Sequence, residues 1–193
     1  MNAPALFPSD ASLIDRLAAG DGDALGPLYR KYGADVRGLL LRVEPTMTRE
    51  DADDLGQEVF LTFLGTVGRY EERGKLKSWL YGIAVRKARG WRRRTWLRRT
   101  LRLAGGAEAA AVSLLEARTE ERVAAKRRIE AVMTALPAGQ REVLVLHVAE
   151  GMSAREAAAV LGISENAVAT RLFRARKAMQ ALGAGMGAAG GQR

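Results

Sequence analysis

The stretch from Gly151 to Val168, GMSAREAAAVLGISENAV, leaves the chain little conformational choice. Ser153 followed by Glu156 is a capping box, S-x-x-E, which satisfies backbone N–H groups that the start of a helix leaves without partners. Ala157, Val160 and Leu161 give that helix an apolar face. Gly162 suits the left-handed conformation that ends a helix and turns the chain. Ile163 anchors the turn, and Ser164 is a good N-cap for a second helix. In that helix Val168, Leu172, Ala175 and Met179 recur at helical spacing and are expected to pack inward. Asn166, Thr170, Phe173, Arg174 and Lys177 fall on the opposite side, flanked by Arg171 and Arg176. A short helix, a tight turn and a polar, basic helix make the geometry that enters a DNA major groove. The N-terminal residues then meet base edges, and the arginines meet phosphates or guanine. On spacing alone, the same pattern also fits an ordinary helical hairpin with a solvated basic face.

The rest of the chain reads as helical too. β-Branched and aromatic residues are sparse and alanine abundant, which favours helix over sheet. Ser9 or Asp10 caps a first helix through Ala19, and Gly20-Asp21-Gly22-Asp23 breaks it. A second helix is expected from Ala24 to about Val43, ended by Glu44-Pro45. A third runs from Arg49 to Gly68, and a loop covers Glu71–Lys75. A fourth starts at Lys77 and enters a basic run. Gly105-Gly106 and the alanine-rich stretch after it read as a linker. Helix resumes from Thr119 to Leu136, Pro137 punctuates it, and two or three helices follow to about Leu182. The expected fold is all-α: two small helical domains, 1–103 and 121–182, a flexible linker at 104–120 and a disordered tail at 183–193, with the helix-turn-helix in the second domain.

The formal net charge is +9, and its placement matters more than its size. Nine basic residues and no acidic one lie between Arg86 and Arg102: Arg86, Lys87, Arg89, Arg92, Arg93, Arg94, Arg98, Arg99 and Arg102. This segment carries the whole net charge, which is the footprint of a polyanion partner, either nucleic acid or an anionic membrane surface. Within Lys77–Arg94, KSWLYGIAVRKARGWRRR, the residues Trp79, Leu80, Ile83 and Ala84 are candidate packing positions. Tyr81 and Trp91, with Trp96 beyond, are interspersed with charge, and aromatics beside cations stack on unpaired bases. The alternative is that the tryptophans are core and the arginines only solubilise. Asp51–Phe60, DADDLGQEVF, opens an amphipathic helix on which Leu55, Val59, Phe63 and Val67 step by four along one face. Asp51, Asp54 and Glu58 share a narrow arc on another face, which suits the helix dipole as a solvated surface or a basic protein partner as a dock.

Several function classes are disfavoured. The chain has no cysteine and one histidine, His147, so neither a disulfide framework nor a thiolate or histidine metal site is expected. It lacks a G-x-x-x-x-G-K-S/T phosphate loop and a nucleophile with a paired base, so no catalytic residue, cofactor or enzymatic activity is expected. No apolar run approaches the roughly 20 residues that span a bilayer, and Met1 to Asp10 has no secretory pattern, which points to a cytoplasmic protein.

Taken in order, these elements resemble the extracytoplasmic-function group of bacterial RNA polymerase sigma factors. The resemblance rests on Asp51–Phe60 (DADDLGQEVF), Trp79–Ala84 (WLYGIA), Leu136-Pro137 with Arg141–Leu144, Glu150–Ser153, Leu161–Ser164 and Arg171–Lys177 (RLFRARK), and it covers roughly Ala24 to Leu182. It implies a subunit that takes core RNA polymerase to particular promoters and helps to open them. Asp51, Asp54, Gln57 and Glu58 would bind the polymerase. Lys77, Tyr81, Arg86, Lys87, Arg89, Arg92 and Arg93 would engage the minus-ten element as single-stranded DNA. Ser164, Glu165, Asn166, Thr170, Arg171, Arg174 and Lys177 would read the minus-thirty-five element as duplex. A separate anti-sigma protein is a further implied partner. The chain departs from the family's usual residues at Arg86, Gly90, Ala167, Ala169 and Phe173, which bears on its promoter preference. The competing reading is a conventional helix-turn-helix regulator that binds duplex DNA without polymerase; it leaves the acidic helix and the aromatic-basic helix unexplained.

Overall fold

The first helix, α1 (Asp10–Ala18), starts where Ser9 accepts a hydrogen bond from the Ser12 amide at 3.2 Å, and it buries Leu13 and Leu17. Gly20 takes a positive φ of 91°, which the break requires, and one 3₁₀ turn (Gly22–Ala24) leads into α2 (Leu25–Val43). Pro27 stands in the first turn of α2, where a missing N–H costs nothing. Asp10 ties α1 to α2 by accepting hydrogen bonds from Lys31 and Tyr32. Partial burial pushes its carboxyl pKa up, but those two bonds and the Lys31 charge outweigh burial and the net direction is down.

The third helix, α3 (Arg49–Leu64), opens on a second capping box, in which Thr48 and Asp51 bond each other's backbone N–H. It is shorter than the sequence suggests. The Thr66 hydroxyl donates to the carbonyls of Thr62 and Phe63, taking up carbonyls that a continuing helix would use. A 3₁₀ turn (Val67–Arg69) then places Val67 in the core. The fourth helix, α4 (Leu76–Leu103), starts one residue before Lys77. The helices α2, α3 and α4 pack on one another around Leu28, Leu39, Phe60, Phe63 and Leu80.

The computed structural model describes residues 9–70, 75–103 and 129–189. The expected linker at 104–120 and the expected loop from Glu71 to Gly74 lie outside them, as does the start of the expected helix at Thr119. The helical residues 129–135 form α5, which ends before Pro137. The next helix, α6 (Ala138–Leu144), continues into one turn of π-helix (Val145–Ala149), where Glu150 donates to the Val145 carbonyl at 3.0 Å. Gly151 (φ 67°) turns the chain, and the His147 imidazole bonds the Met152 carbonyl at 2.7 Å. The last two helices are α7 (Ala154–Leu161) and α8 (Glu165–Ala189). Within the expected tail, the backbone of 183–189 continues α8. Alanine's high helix propensity offsets the interspersed glycines there.

Among the described residues there is no strand, and the all-α expectation holds. The two helical halves pack against each other. Helix α7 lies on α4, and α6 with the π-turn meets α2. One contiguous buried cluster runs from Leu13 in the first half to Leu172 in the second. Where α4 faces α7 it carries Gly82, at which an added Cβ would lie 3.6 Å from the Val160 carbonyl.

Two stability outcomes follow from this architecture. Gly162 sits at φ 66° and ψ 40°, so Gly162→Ala is expected to cost about 1–2 kcal/mol in denaturant unfolding. An unchanged midpoint would mean the turn tolerates a Cβ. Asp10 is an acid whose folded pKa lies below its ordinary 3.8, so its contribution is present above that value and lost as pH falls through the lowered one. Asp10→Asn should therefore lower the melting temperature at neutral pH, and the gap from the parent should close in acid; a gap that persists there would disprove the charge-based tie.

Candidate nucleic-acid and protein interfaces

The turn between α7 and α8 forms as its residues dictate. Ser153 accepts from the Glu156 amide at 3.2 Å, while the Glu156 carboxylate accepts from the Ser153 amide at 2.9 Å. These bonds and nearby Lys75 hold the Glu156 carboxyl below its usual range. Ile163 donates to the Ala158 carbonyl across the left-handed Gly162. Ser164 caps α8 by accepting from the Ala167 amide at 3.2 Å. Val168, Leu172 and Ala175 are buried, as their spacing implies. Met179 is not: at 38% exposure it lies past the point where α7 covers α8. Ser164, Glu165, Asn166, Thr170, Phe173, Arg174 and Lys177 are all exposed, so α8 presents a continuous polar and basic face with one large apolar member. Phe173 is 69% exposed. Arg171 stands apart from this face. It is half-buried, and its guanidinium lies beside Gly139 of α6.

On α3 the acidic arc is only partly open. Asp54, Gln57 and Glu58 are exposed, whereas Asp51 is half-buried and engaged in the capping box. Glu58 accepts a hydrogen bond from Lys87 of α4 at 2.9 Å. Beside this arc, a groove of about 240 Å³ separates α2 from α3 and includes Tyr29, Arg30, Arg37 and Asp53 in its lining. The Tyr29 ring stands edge-on to Phe60 at 5.0 Å, and Arg37 pairs with Asp53 at 3.1 Å. These α2 residues carry no motif. Arg30 and Arg37 fall on the side of α2 away from its buried residues, whereas Tyr29 borders them.

On α4 one aromatic expectation needs correction. The sequence reads Tyr81 as a stacking aromatic and Trp91 as either that or core; both are buried, at 0% and 7% exposure. With Ala84 and Ala88 they step by three, four and three residues, which makes them one stripe of the helix's core face. Trp96, at 65% exposure, is the aromatic on this helix that remains open. The cations divide in the same way. Arg86 and Arg93 are exposed, and Lys87 is half-buried against Glu58. Lys77, Arg89 and Arg92 turn towards carboxylates.

Glu142 and Glu150 lie in stretches that carry the resemblance, but the sequence names no partner for them; with Glu44 they sit where the two halves meet. Arg89 grips Glu142 of α6 with two bonds, 3.0 Å from Nε and 2.7 Å from Nη2. Arg92 bonds Glu44 and lies 3.6 Å from Glu142. Lys77 lies 3.0 Å from Asp35 and 3.4 Å from Glu150, and the Tyr81 hydroxyl donates to Glu150 at 2.6 Å. Arg42 also bonds Glu150. At the centre, Arg141 of α6 donates through Nε to the Val43 carbonyl at 2.7 Å, and through Nη1 to the carbonyls of Met133 at 2.8 Å and Leu136 at 3.0 Å. Burial pushes Glu44 up despite Arg92 and Arg141, and pushes Arg141 down despite Glu44 and Glu142. The Glu142 hydrogen bonds raise Arg89. Burial and the Glu150 hydrogen bond raise the Tyr81 hydroxyl far above its ordinary value. Desolvation pulls Lys77 down, but Asp35 and Glu150 more than reverse it.

No helix among the described residues is long and apolar enough to cross a membrane. Family models described as Sigma-70 region 2 and Sigma-70 region 4 match residues 28–100 and 126–179. The RNA polymerase sigma factor CnrH of Cupriavidus metallidurans is 33% identical, over 91% of this chain and 95% of its own length. The ECF RNA polymerase sigma factor SigD of Mycobacterium tuberculosis is 32% identical, over 85% of this chain and 79% of its own. A solved structure of CnrH in complex with the cytosolic domain of CnrY matches 88% of this chain and 94% of that one, with a TM-score of 0.63 at 28% identity. The fold is also that of a Bartonella quintana sigma factor, RpoE, solved with NepR, at a TM-score of 0.64, 22% identity and coverage of 80% of this chain and 92% of that one. The exposed polar and basic face of α8, the acidic α3 and the basic α4 thus occur together in a chain that belongs to the RNA polymerase sigma factors, in their extracytoplasmic-function group.

Proposed function

We propose that this sigma factor divides its work among three helices. Helix α8 reads the minus-thirty-five element as duplex through Ser164, Glu165, Asn166, Thr170, Arg174 and Lys177, with Arg171 bracing it against α6. Helix α3 docks core RNA polymerase through Asp54, Gln57 and Glu58, and Asp51 shapes the start of that helix. Helix α4 holds single-stranded minus-ten DNA through Lys77, Arg86, Lys87, Arg89, Arg92 and Arg93, while Tyr81 supports it from within. The observation that carries this reading is the α8 face: Val168, Leu172 and Ala175 are buried and the polar and basic residues are exposed in one row with Phe173 among them, which fits a helix that enters a major groove.

The working units of this reading are 1–103 and 121–182, joined through 104–120. The protein acts by binding and not by catalysis, needs no cofactor, and works in the cytoplasm with polymerase and promoter DNA as partners. A separate anti-sigma protein is a further partner. Support for that comes from CnrH, whose solved structure contains the cytosolic domain of CnrY, and from RpoE, solved with the anti-sigma factor NepR.

Run-off transcription with core polymerase and a promoter library tests the function directly. A two-part element should be enriched, and a library without one would refute the reading. Asp54→Lys with Glu58→Lys should abolish co-purification with core polymerase while the circular dichroism stays helical, because both side chains are exposed. Retained association would remove α3 from the docking surface. Arg174→Ala should weaken duplex binding by about 1–3 kcal/mol if it reads a base, and by a uniform, salt-dependent amount if it meets phosphate. Phe173→Ala should also weaken it, through lost apolar contact with DNA; transcription unchanged by that substitution would take Phe173 out of the interface.

A further inference from the structure

We propose that the far end of α4 docks on an anionic lipid bilayer: Trp96, Leu97 and Leu101 enter the membrane interface, and Arg94, Arg98 and Arg99 engage its phosphate headgroups. This goes beyond the promoter-binding division of labour, which uses none of these residues.

The pattern of the helix reverses at Trp91. Up to that residue α4 keeps its core on one side, with Leu80, Tyr81, Ala84 and Ala88 buried. Beyond it, the same side of the helix falls at Arg94, Arg98 and Arg102, each a whole number of turns further on. The apolar residues move to the other side, where Trp96, Leu97 and Leu101 stand open at 65%, 51% and 64% exposure. Thr100 lies among them, and its hydroxyl is bonded within the helix, donating to the Trp96 carbonyl at 3.0 Å. Arg93 marks the upstream edge of this apolar side. Helical side chains lean towards the N-terminus, which carries its guanidinium away from the leucines. The end of α4 is thus amphipathic in the sense opposite to its beginning, and its apolar side faces away from the core.

Charge and chemistry select the occupant. Arg94, Arg98 and Arg99 are exposed, and no acidic residue lies between Arg86 and Arg102, so this end of the helix attracts a polyanion. DNA phosphates account for the arginines but not for two open leucines beside an open tryptophan. An anionic bilayer accounts for all of them. Acyl chains take up the leucines, and tryptophan favours the membrane–water interface. Arginine stems lie along the apolar boundary while their guanidinium groups reach the phosphates. No helix among the described residues is long and apolar enough to cross a membrane, so the contact is with the surface.

The test uses the full chain and vesicles of phosphatidylglycerol with phosphatidylcholine, set against vesicles of phosphatidylcholine alone. The parent should float with the anionic vesicles and not with the neutral ones. Of the three tryptophans Trp91 is buried and Trp79 half-buried, so a blue shift of fluorescence on binding reports Trp96. Trp96→Phe should lose most of that shift and still float. Leu97→Gln with Leu101→Gln, both at exposed positions, should weaken vesicle binding by about tenfold or more. The same pair should leave affinity for a labelled random-sequence DNA duplex unchanged. Arg98→Gln with Arg99→Gln should weaken vesicle binding about 25-fold, at about fivefold for each basic residue near an anionic surface. Arg49→Gln with Arg155→Gln removes the same charge at exposed positions elsewhere and should leave it unchanged. A parent that does not float ends the proposal and leaves the face to a protein partner. If the leucine pair floats like the parent while the arginine pair does not, the attraction is electrostatic alone and the docking face is wrong. If the leucine pair weakens duplex binding and not flotation, the face belongs to nucleic acid. If the control pair weakens flotation as much as the arginine pair, bulk charge is the cause and the proposal fails.

Discussion

A single guanidinium on α6 joins the ends of two other helices. Arg141 fills carbonyls at the C-terminus of α2 and of α5, where helices leave oxygens without partners and carry partial negative charge. It also lies 3.6 Å from Glu44. Because α2 belongs to the first half and α5 to the second, one side chain sets how the halves meet. The ion pairs of Arg89, Arg92 and Lys77 lie around this point, and the apolar contact of α7 with α4 lies beside it. Removing Arg141 would leave buried carbonyls unpaired and take one of two cations from the buried Glu44 carboxylate, a larger penalty than the net gain from any one of its bonds.

The same arrangement gives the three working helices unequal freedom. The reading face of α8 points to solvent in the closed chain. The acidic side of α3 is open at Asp54 and Gln57 and touched at Glu58 by Lys87. The N-terminal part of α4 is enclosed by carboxylates, and its far end, with Trp96 and Leu101, is exposed. Under the proposed division of labour, the cations of α4 are unequally free: Arg86 and Arg93 are exposed, whereas Lys77, Arg89 and Arg92 are paired with carboxylates.

Much of this was legible residue by residue. The S-x-x-E box, Gly162 and Ser164 set the α7–α8 turn through local hydrogen bonds and one left-handed residue, with no need of distant contacts. The step-by-four pattern of Leu55, Val59, Phe63 and Val67 gave the buried face of α3. Errors arose where a local pattern had two physical meanings. Tyr81 and Trp91 sit among arginines and looked like stacking aromatics, yet their three-and-four spacing with Ala84 and Ala88 is that of a core stripe. Thr66 ended α3 early by bonding back to the helix, a competition that residue counting does not reveal.

The sequence by itself determined the helices, the helix-turn-helix and the basic segment, because capping, periodicity and charge density act over a few residues. Only the tertiary structure decided what those charges do. Arg89 and Glu142 are 53 positions apart, and Tyr81 and Glu150 are 69 apart. Nothing short-range selects such pairs. They arise because α6 and α7 bury their apolar faces on α2 and α4, and that burial brings the carboxylates of one half against the cations of the other.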